Sequence, residues 1–250
     1  MSSAAYEFPL NEKVRNYLRI EHLLQQVKAS AERDDPPACI QFFNDLFTLL
    51  DLLERLDVRN DILKDIDAQE KNLLHWSKHP NINNEALQET LQTILRLREQ
   101  LKSNKRIGSD VKDNAFIASI RQRFAIPGGT CSFDLPNLHF WMHQTPDKRR
   151  SDQQKWLSNL ALIDNAITLS LSFLRQRGSY QLVEAVNGFF PGLSDDKGDL
   201  IRIRMLDALD IYPTLSGNKY RYALRFMRFD VECGNNKPVE HSLKFEIASC

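Results

Sequence analysis

The spacing of apolar residues changes near Gly178, from a repeat of three and four to a repeat of two, and few arrangements can satisfy both halves. Before Gly178 the pattern predicts helices. A first begins near Asn11 and fades by residues 31–35. A second opens at Pro36 and Pro37 and lays Ile40, Phe43, Phe47, Leu50 and Leu53 along one face. A third carries Ile62, Ile66, Leu73, Leu74 and Trp76 up to Pro80, and a fourth spans about residues 84–105. A helix with Ile117, Ile120 and Phe124 follows Gly108. Ile126, Pro127, Gly128 and Gly129 then impose an irregular passage, residues 132–136 lead into a short helix, and one long helix over 151–177 ends at Gly178.

Beyond Gly178, Ile201, Ile203 and Met205 alternate with Arg202 and Arg204, and Leu243, Phe245 and Ile247 with Lys244 and Glu246. Tyr220, Tyr222, Leu224 and Phe226 form a third alternating set, entered through a turn at Ser216, Gly217 and Asn218. The expected class is α+β, a helical domain over 10–178 and a mainly antiparallel β-sheet domain over 179–250. Residues 1–9, through Ala5 to Phe8, are a candidate added strand.

Composition narrows function by exclusion. With 42% hydrophobic residues the chain buries a core, and 33 basic against 33 acidic side chains leave no global field to draw nucleic acid or anionic lipid. No apolar run approaches the ~20 residues of a membrane span, and the start lacks a basic-then-apolar leader, so a cytoplasmic protein is expected. Cys39, Cys131, Cys233 and Cys250 form no CxxC pair, which fits reduced thiols. Walker, GxGxxG and GxSxG motifs are missing, which points away from an enzyme and from any cofactor.

Two histidine pairs, His75 with His79 and His139 with His143, have the i, i+4 spacing of some metal sites, but no third ligand accompanies either. Satisfied or solvent-facing histidines are the favoured reading, and no metal is expected. Gly128 and Gly129 read as a turn in preference to an anion cradle, and Cys131 as a small buried thiol in preference to a nucleophile.

Arginine placement is more informative. On a strand over 219–229, Arg221 and Arg225 project from one face, about 13 Å apart, with Ala223 between them. Arg15 and Arg19 are one helical turn apart, as are Arg55 and Arg59. Two readings stand open: an ordinary solvated surface, or a pocket for a carboxylate-bearing peptide, to which the planar guanidinium fork is suited.

Three stretches, 9–21 (PLNEKVRNYLRIE), 120–143 (IRQRFAIPGGTCSFDLPNLHFWMH) and 216–227 (SGNKYRYALRFM), resemble the blocks of the Z-ring-associated protein D family and fall in the same order. The resemblance implies a helical domain joined to a β-sheet domain, a homodimer, and binding to the C-terminal tail of FtsZ, the bacterial tubulin homologue, whose filaments it would cross-link at the septum. It matches the family's basic pocket to Arg19, Arg55, Arg221 and Arg225, with His139 at a further polar position. Where relatives carry an arginine ahead of the second block this chain has Ala115, with Lys112 as a candidate replacement. The rivals are a nucleic-acid binder using the arginine-rich sheet face, which neutral net charge disfavours, and a metal-dependent hydrolase built on the histidines.

Overall fold

The computed structural model describes residues 5–77, 84–102, 106–193, 198–206, 210–230 and 237–250. The chain divides into two compact units, one of residues 19–170 and one of residues 1–18 with 171–250.

The helical unit is built on α2 (Pro36–Arg55). Asp35 starts it by accepting a hydrogen bond from the Ala38 N–H at 3.0 Å, and two prolines fill the first turn, where an N–H has no partner to lose. Phe42, Phe43, Leu46, Leu49 and Leu50 are wholly buried along it. Phe43 is the hub of an aromatic cluster, its ring 5.2 Å from those of Phe42 and Trp141 and 5.7–6.1 Å from Trp156, Phe116, Phe124 and Phe47. The partners come from α6 (Ala115–Phe124), α7 (Pro136–Met142) and α8 (Pro146–Ser158), so one side chain fixes four helices.

Buried Arg149 makes a second tie, donating to the backbone oxygens of Met142, Gln144 and Asp34 at 3.0, 2.5 and 2.8 Å. The helices α3 (Val58–Trp76) and α4 (Asn84–Leu101) pack on each other. Ile62, Ile66 and Leu73 on one and Leu87, Leu91, Ile94 and Leu101 on the other are buried, and Arg98 reaches back to Asp67 at 2.8 Å and to Glu70.

Several boundaries differ from the periodicity. The long helix over 151–177 is two helices, α8 and α9 (Ala161–Arg177), bent by 60° at the break around Asn159 and Leu160. The stretch after Gly108 is likewise divided, into α5 (Ser109–Lys112) and α6, because the Asn114 side chain accepts from the N–H groups of Phe116 and Ile117 and starts a new helix. The fourth helix ends at Leu101 short of the expected 105, and residues 103–105 lie outside the described ones. No single described helix is long and apolar enough to cross a membrane.

The second unit holds two antiparallel sheets where the sequence suggested one. One has the order β1 (Ala5–Pro9), β4 (Leu200–Met205), β8 (Leu243–Ser249), β2 (Gln181–Ala185). The other has β3 (Phe189–Leu193), β6 (Arg221–Arg228) and β5 (Ile211–Gly217), with the short β7 (Lys237–Pro238) also on β6. The alternating residues of both meet in one core of Ile201, Ile203, Phe245 and Ile247 against Tyr222, Leu224 and Phe226. The expected amino-terminal strand is present as β1, with Glu7 opposite Arg202. Its carboxylate accepts from Arg175 Nε and Nη2 at 2.9 and 2.7 Å and from Arg202 Nε at 3.0 Å. The first helix, α1 (Glu12–Ala31), follows directly, with the Asn11 side chain accepting from the Val14 N–H.

Candidate functional site

Strand β6 carries the clearest candidate surface. Tyr222, Leu224 and Phe226 point into the core, so Arg221 and Arg225 face outward together. The turn before it is set chemically. Gly217 has φ +131°, and a Cβ there would lie 2.3 Å from the Arg221 carbonyl oxygen. Asn218 Oδ1 accepts from the N–H groups of Tyr220 and Arg221, and the Asn218 N–H donates to the Arg221 carbonyl at 2.9 Å. Arg221 therefore stands on a hydrogen-bonded corner.

Arg225 stands between Phe189 of β3 and Thr214 of β5 and lines an open cleft of about 400 Å³ with Phe189, Pro238 and Glu240. The turn into β3 requires Gly188 at φ +66°, since a Cβ there would meet the Val239 carbonyl oxygen at 2.3 Å. Neither Arg221 nor Arg225 has an ion pair among the described residues.

Their neighbours in sequence are different. Arg202 is held by Glu7, and Arg204 lies 3.8 Å over the Tyr180 ring and 3.8 Å from Glu246. Lys219 lies 4.9 Å over the exposed ring of Tyr220, whereas Tyr222 is buried in the core. Burial also pushes the Tyr222 hydroxyl above its ordinary pKa, so it stays protonated. Arg221 and Arg225 thus share one face with no ion pair among the described residues.

In the helical unit the candidates stand on three helices. Arg19 is exposed on α1 and makes a contact within the chain. Arg55 ends α2 and is exposed without an ion pair among the described residues. Its helical pairing with Arg59 is corrected: Leu56 leaves the helix in an extended conformation and Asp57 is the N-cap of α3, so the two arginines belong to different helices but line one cleft. Lys112, considered as a stand-in at the Ala115 position, is committed to Glu54 at 3.1 Å. Glu54 also accepts from Arg121 at 3.0 Å, and that bond, with the one from Lys112, holds its carboxyl below the usual 4.5.

His139 is exposed on α7 with its ring 4.4 Å from that of His143, whose Nδ1 lies 2.8 Å from the His139 carbonyl oxygen. Among the described residues no group of three His, Cys, Asp or Glu side chains could hold a metal, and His79 lies outside them. The glycine passage is a turn, with the Gly129 and Cys131 N–H groups bonded to the carbonyls of Ile126 and Gly128. Cys131 is exposed, correcting the expectation of a buried thiol, because the turn holds it off the core. Cys39 and Cys250 are free and buried, with burial pushing both thiols above their ordinary pKa, and Cys233 is outside the described residues.

A family model described as "ZapD: Cell division protein" matches residues 18–225. The chain is 39% identical over 249 residues to the cell division protein ZapD of Pectobacterium carotovorum subsp. carotovorum, covering 100% of this chain and 98% of that protein. It is 37% identical over 250 residues to that of Shewanella sp. strain MR-4, covering all of both. Against the protein of the same name from Escherichia coli O139:H28 the figure is 38% over 245 residues, covering 98% of each.

Proposed function

The chain belongs to the ZapD family of cell division proteins, and from that premise we propose that it binds the C-terminal tail of FtsZ and cross-links FtsZ filaments into bundles. Arg221 and Arg225 are the principal tail ligands, with Arg19, Arg55 and His139 contributing. The supporting observation is the outward pair on β6. Two guanidinium groups on one strand face have no ion pair among the described residues, whereas Arg202 and Arg175 are consumed by Glu7. A guanidinium fork without an internal acid suits an incoming carboxylate, and exposed Tyr220 offers a ring for an apolar neighbour.

Bundling needs only valency. A homodimer carries two copies of the surface, and capture of two tails from adjacent filaments raises the effective concentration of the second event. No chemistry and no cofactor enters, and the place of action is the cytoplasmic side of the septum. The test is sedimentation of FtsZ polymers with wild type, Arg221→Glu and Arg225→Glu, alongside tail-peptide binding. Both variants are expected to lose peptide binding and bundling while melting within ~0.5 kcal/mol of wild type, since an exposed reversal breaks no core contact. Unchanged bundling, or strong salt-sensitive binding to an oligonucleotide with no peptide signal, overturns the reading.

A further inference from the structure

The carboxyl end of α1 and the flank of α8, both in the helical unit, leave between them a cleft of about 440 Å³. Lys28, Ala31 and Glu32 line one wall, and Arg150, Gln153 and Leu157 the other. Both cations are already held. Lys28 Nζ lies 2.5 Å from Asp164 Oδ2, and Arg150 is paired with Asp34. The cations next to them in the chain are spent as well, Arg33 on Asp35 at 3.0 Å and Arg149 on the backbone oxygens of Met142, Gln144 and Asp34. Glu32 is left exposed with no ion pair among the described residues, and the last carbonyls of α1 add to the negative potential around it. Gln153 supplies a second, independent observation. It is 3% exposed, yet its Nε2 is buried with no hydrogen-bond partner among the described residues. An unpaired buried N–H destabilises a fold, and an apolar side chain of the same length would avoid that cost, so a glutamine lining a cleft in this state points to an acceptor that arrives from outside. The terminal torsion of glutamine is broad, and a small turn of the carboxamide presents the N–H to the cleft.

We propose that this cleft docks a basic peptide segment of a partner protein. A backbone carbonyl of the segment accepts from Gln153 Nε2, a lysine or arginine side chain pairs with Glu32, and an adjoining apolar side chain lies on Ala31 and Leu157. Charge complementarity selects the cation, because Glu32 is the lining ion without a partner while Lys28 and Arg150 are neutralised by their own acids. The amide selects the peptide. A free polyamine carries ammonium donors and no acceptor, so it would leave Gln153 Nε2 as unpaired as before, whereas every peptide unit brings a carbonyl. The site is opposite in charge to the surface assigned to the FtsZ tail and shares no residue with it, so it goes beyond the function proposed above.

The experiment uses the full chain and a fluorescent, end-blocked synthetic peptide of alternating Lys and Leu, with an Asp–Leu peptide and spermidine as comparisons. Wild type is expected to bind the Lys–Leu peptide, and Glu32→Lys to raise Kd about tenfold, the loss typical of one charge-assisted contact. Gln153→Met keeps the length of the side chain without its N–H. It is expected to raise Kd about tenfold while melting no lower than wild type, because it removes a buried donor that has no partner in the free protein. Neither variant touches a residue assigned to the tail, so the two readings stand or fall on separate probes. Absence of Lys–Leu binding, equal binding of the Asp–Leu peptide, or a Kd within twofold of wild type for either variant overturns the inference. A lower melting temperature for Gln153→Met does so too, since it would make the amide a structural group. Spermidine binding as tightly as the peptide would make the ligand a polyamine and overturn the peptide assignment.

Discussion

Replacing Glu7 by glutamine tests whether the amino-terminal strand is an integral part of the sheet unit. Its carboxylate accepts three hydrogen bonds from two arginines, Arg175 and Arg202, at 2.7–3.0 Å. The side chains are 19%, 26% and 19% exposed for Glu7, Arg175 and Arg202, between the surface pairs that contribute ~0–1 kcal/mol and the buried ones whose breakage costs ~3–5 kcal/mol. We expect a loss of about 2–3 kcal/mol, or about 5–10 °C in melting temperature for a chain of this size. All three tryptophans, Trp76, Trp141 and Trp156, belong to the helical unit, so their fluorescence is a poor reporter. Hydrogen exchange over residues 5–10 is the direct assay, because the β1–β4 ladder protects the β1 amides that face β4. A double-mutant cycle with Arg202→Gln should show coupling of about 1 kcal/mol. A loss below ~0.5 kcal/mol with unchanged exchange in β1 would refute the account.

Two further outcomes bear on the helical unit. Phe43→Ala removes a ring that is wholly buried against six others, so a loss of about 4 kcal/mol is expected in urea unfolding followed by tryptophan fluorescence, with Phe43→Leu costing less than half as much. The lowered pKa of Glu54 means that its contribution is present above the ordinary 4.5 and is lost as pH falls through the lower folded-state value, so below that ordinary value the wild type should lose stability more steeply than Glu54→Gln. Parallel pH profiles would contradict that assignment.

The periodicity told helix from strand because burial imposes it. Every inward residue of β6 alternates with an outward one, and both arginines of the candidate surface were therefore legible by position. The helix breaks at Asn114 and around Asn159 were not, since both neighbouring segments carry apolar residues at helical spacing and the interruption is a local matter of capping or bending. The division into two sheets escaped for a related reason, because alternation marks an inner face without saying which sheet lies opposite. The Arg149 clamp was hidden altogether. A guanidinium bonded to three backbone carbonyls leaves no signature in residue type, only a charged residue in a charged run.

The same point decides how a basic surface should be read. Arg98 is tied to Asp67 and Glu70, Arg121 to Asp51 and Glu54, and Arg175 with Arg202 to Glu7, so each of these charges is spent on holding the chain to itself. Such an arginine offers an incoming anion little, because binding must first break an internal pair and leave its acid unmatched. Arg55, Arg221 and Arg225 meet no such cost, having no ion pair among the described residues. Recognition of an acidic segment is therefore assigned by which cations the fold leaves over and not by how many it contains. It follows that placing an acid opposite Arg225, as Thr214→Asp would at the paired position on β5, should weaken tail binding while keeping every native arginine. If that variant binds as wild type does, free guanidinium charge on β6 is not what the tail reads.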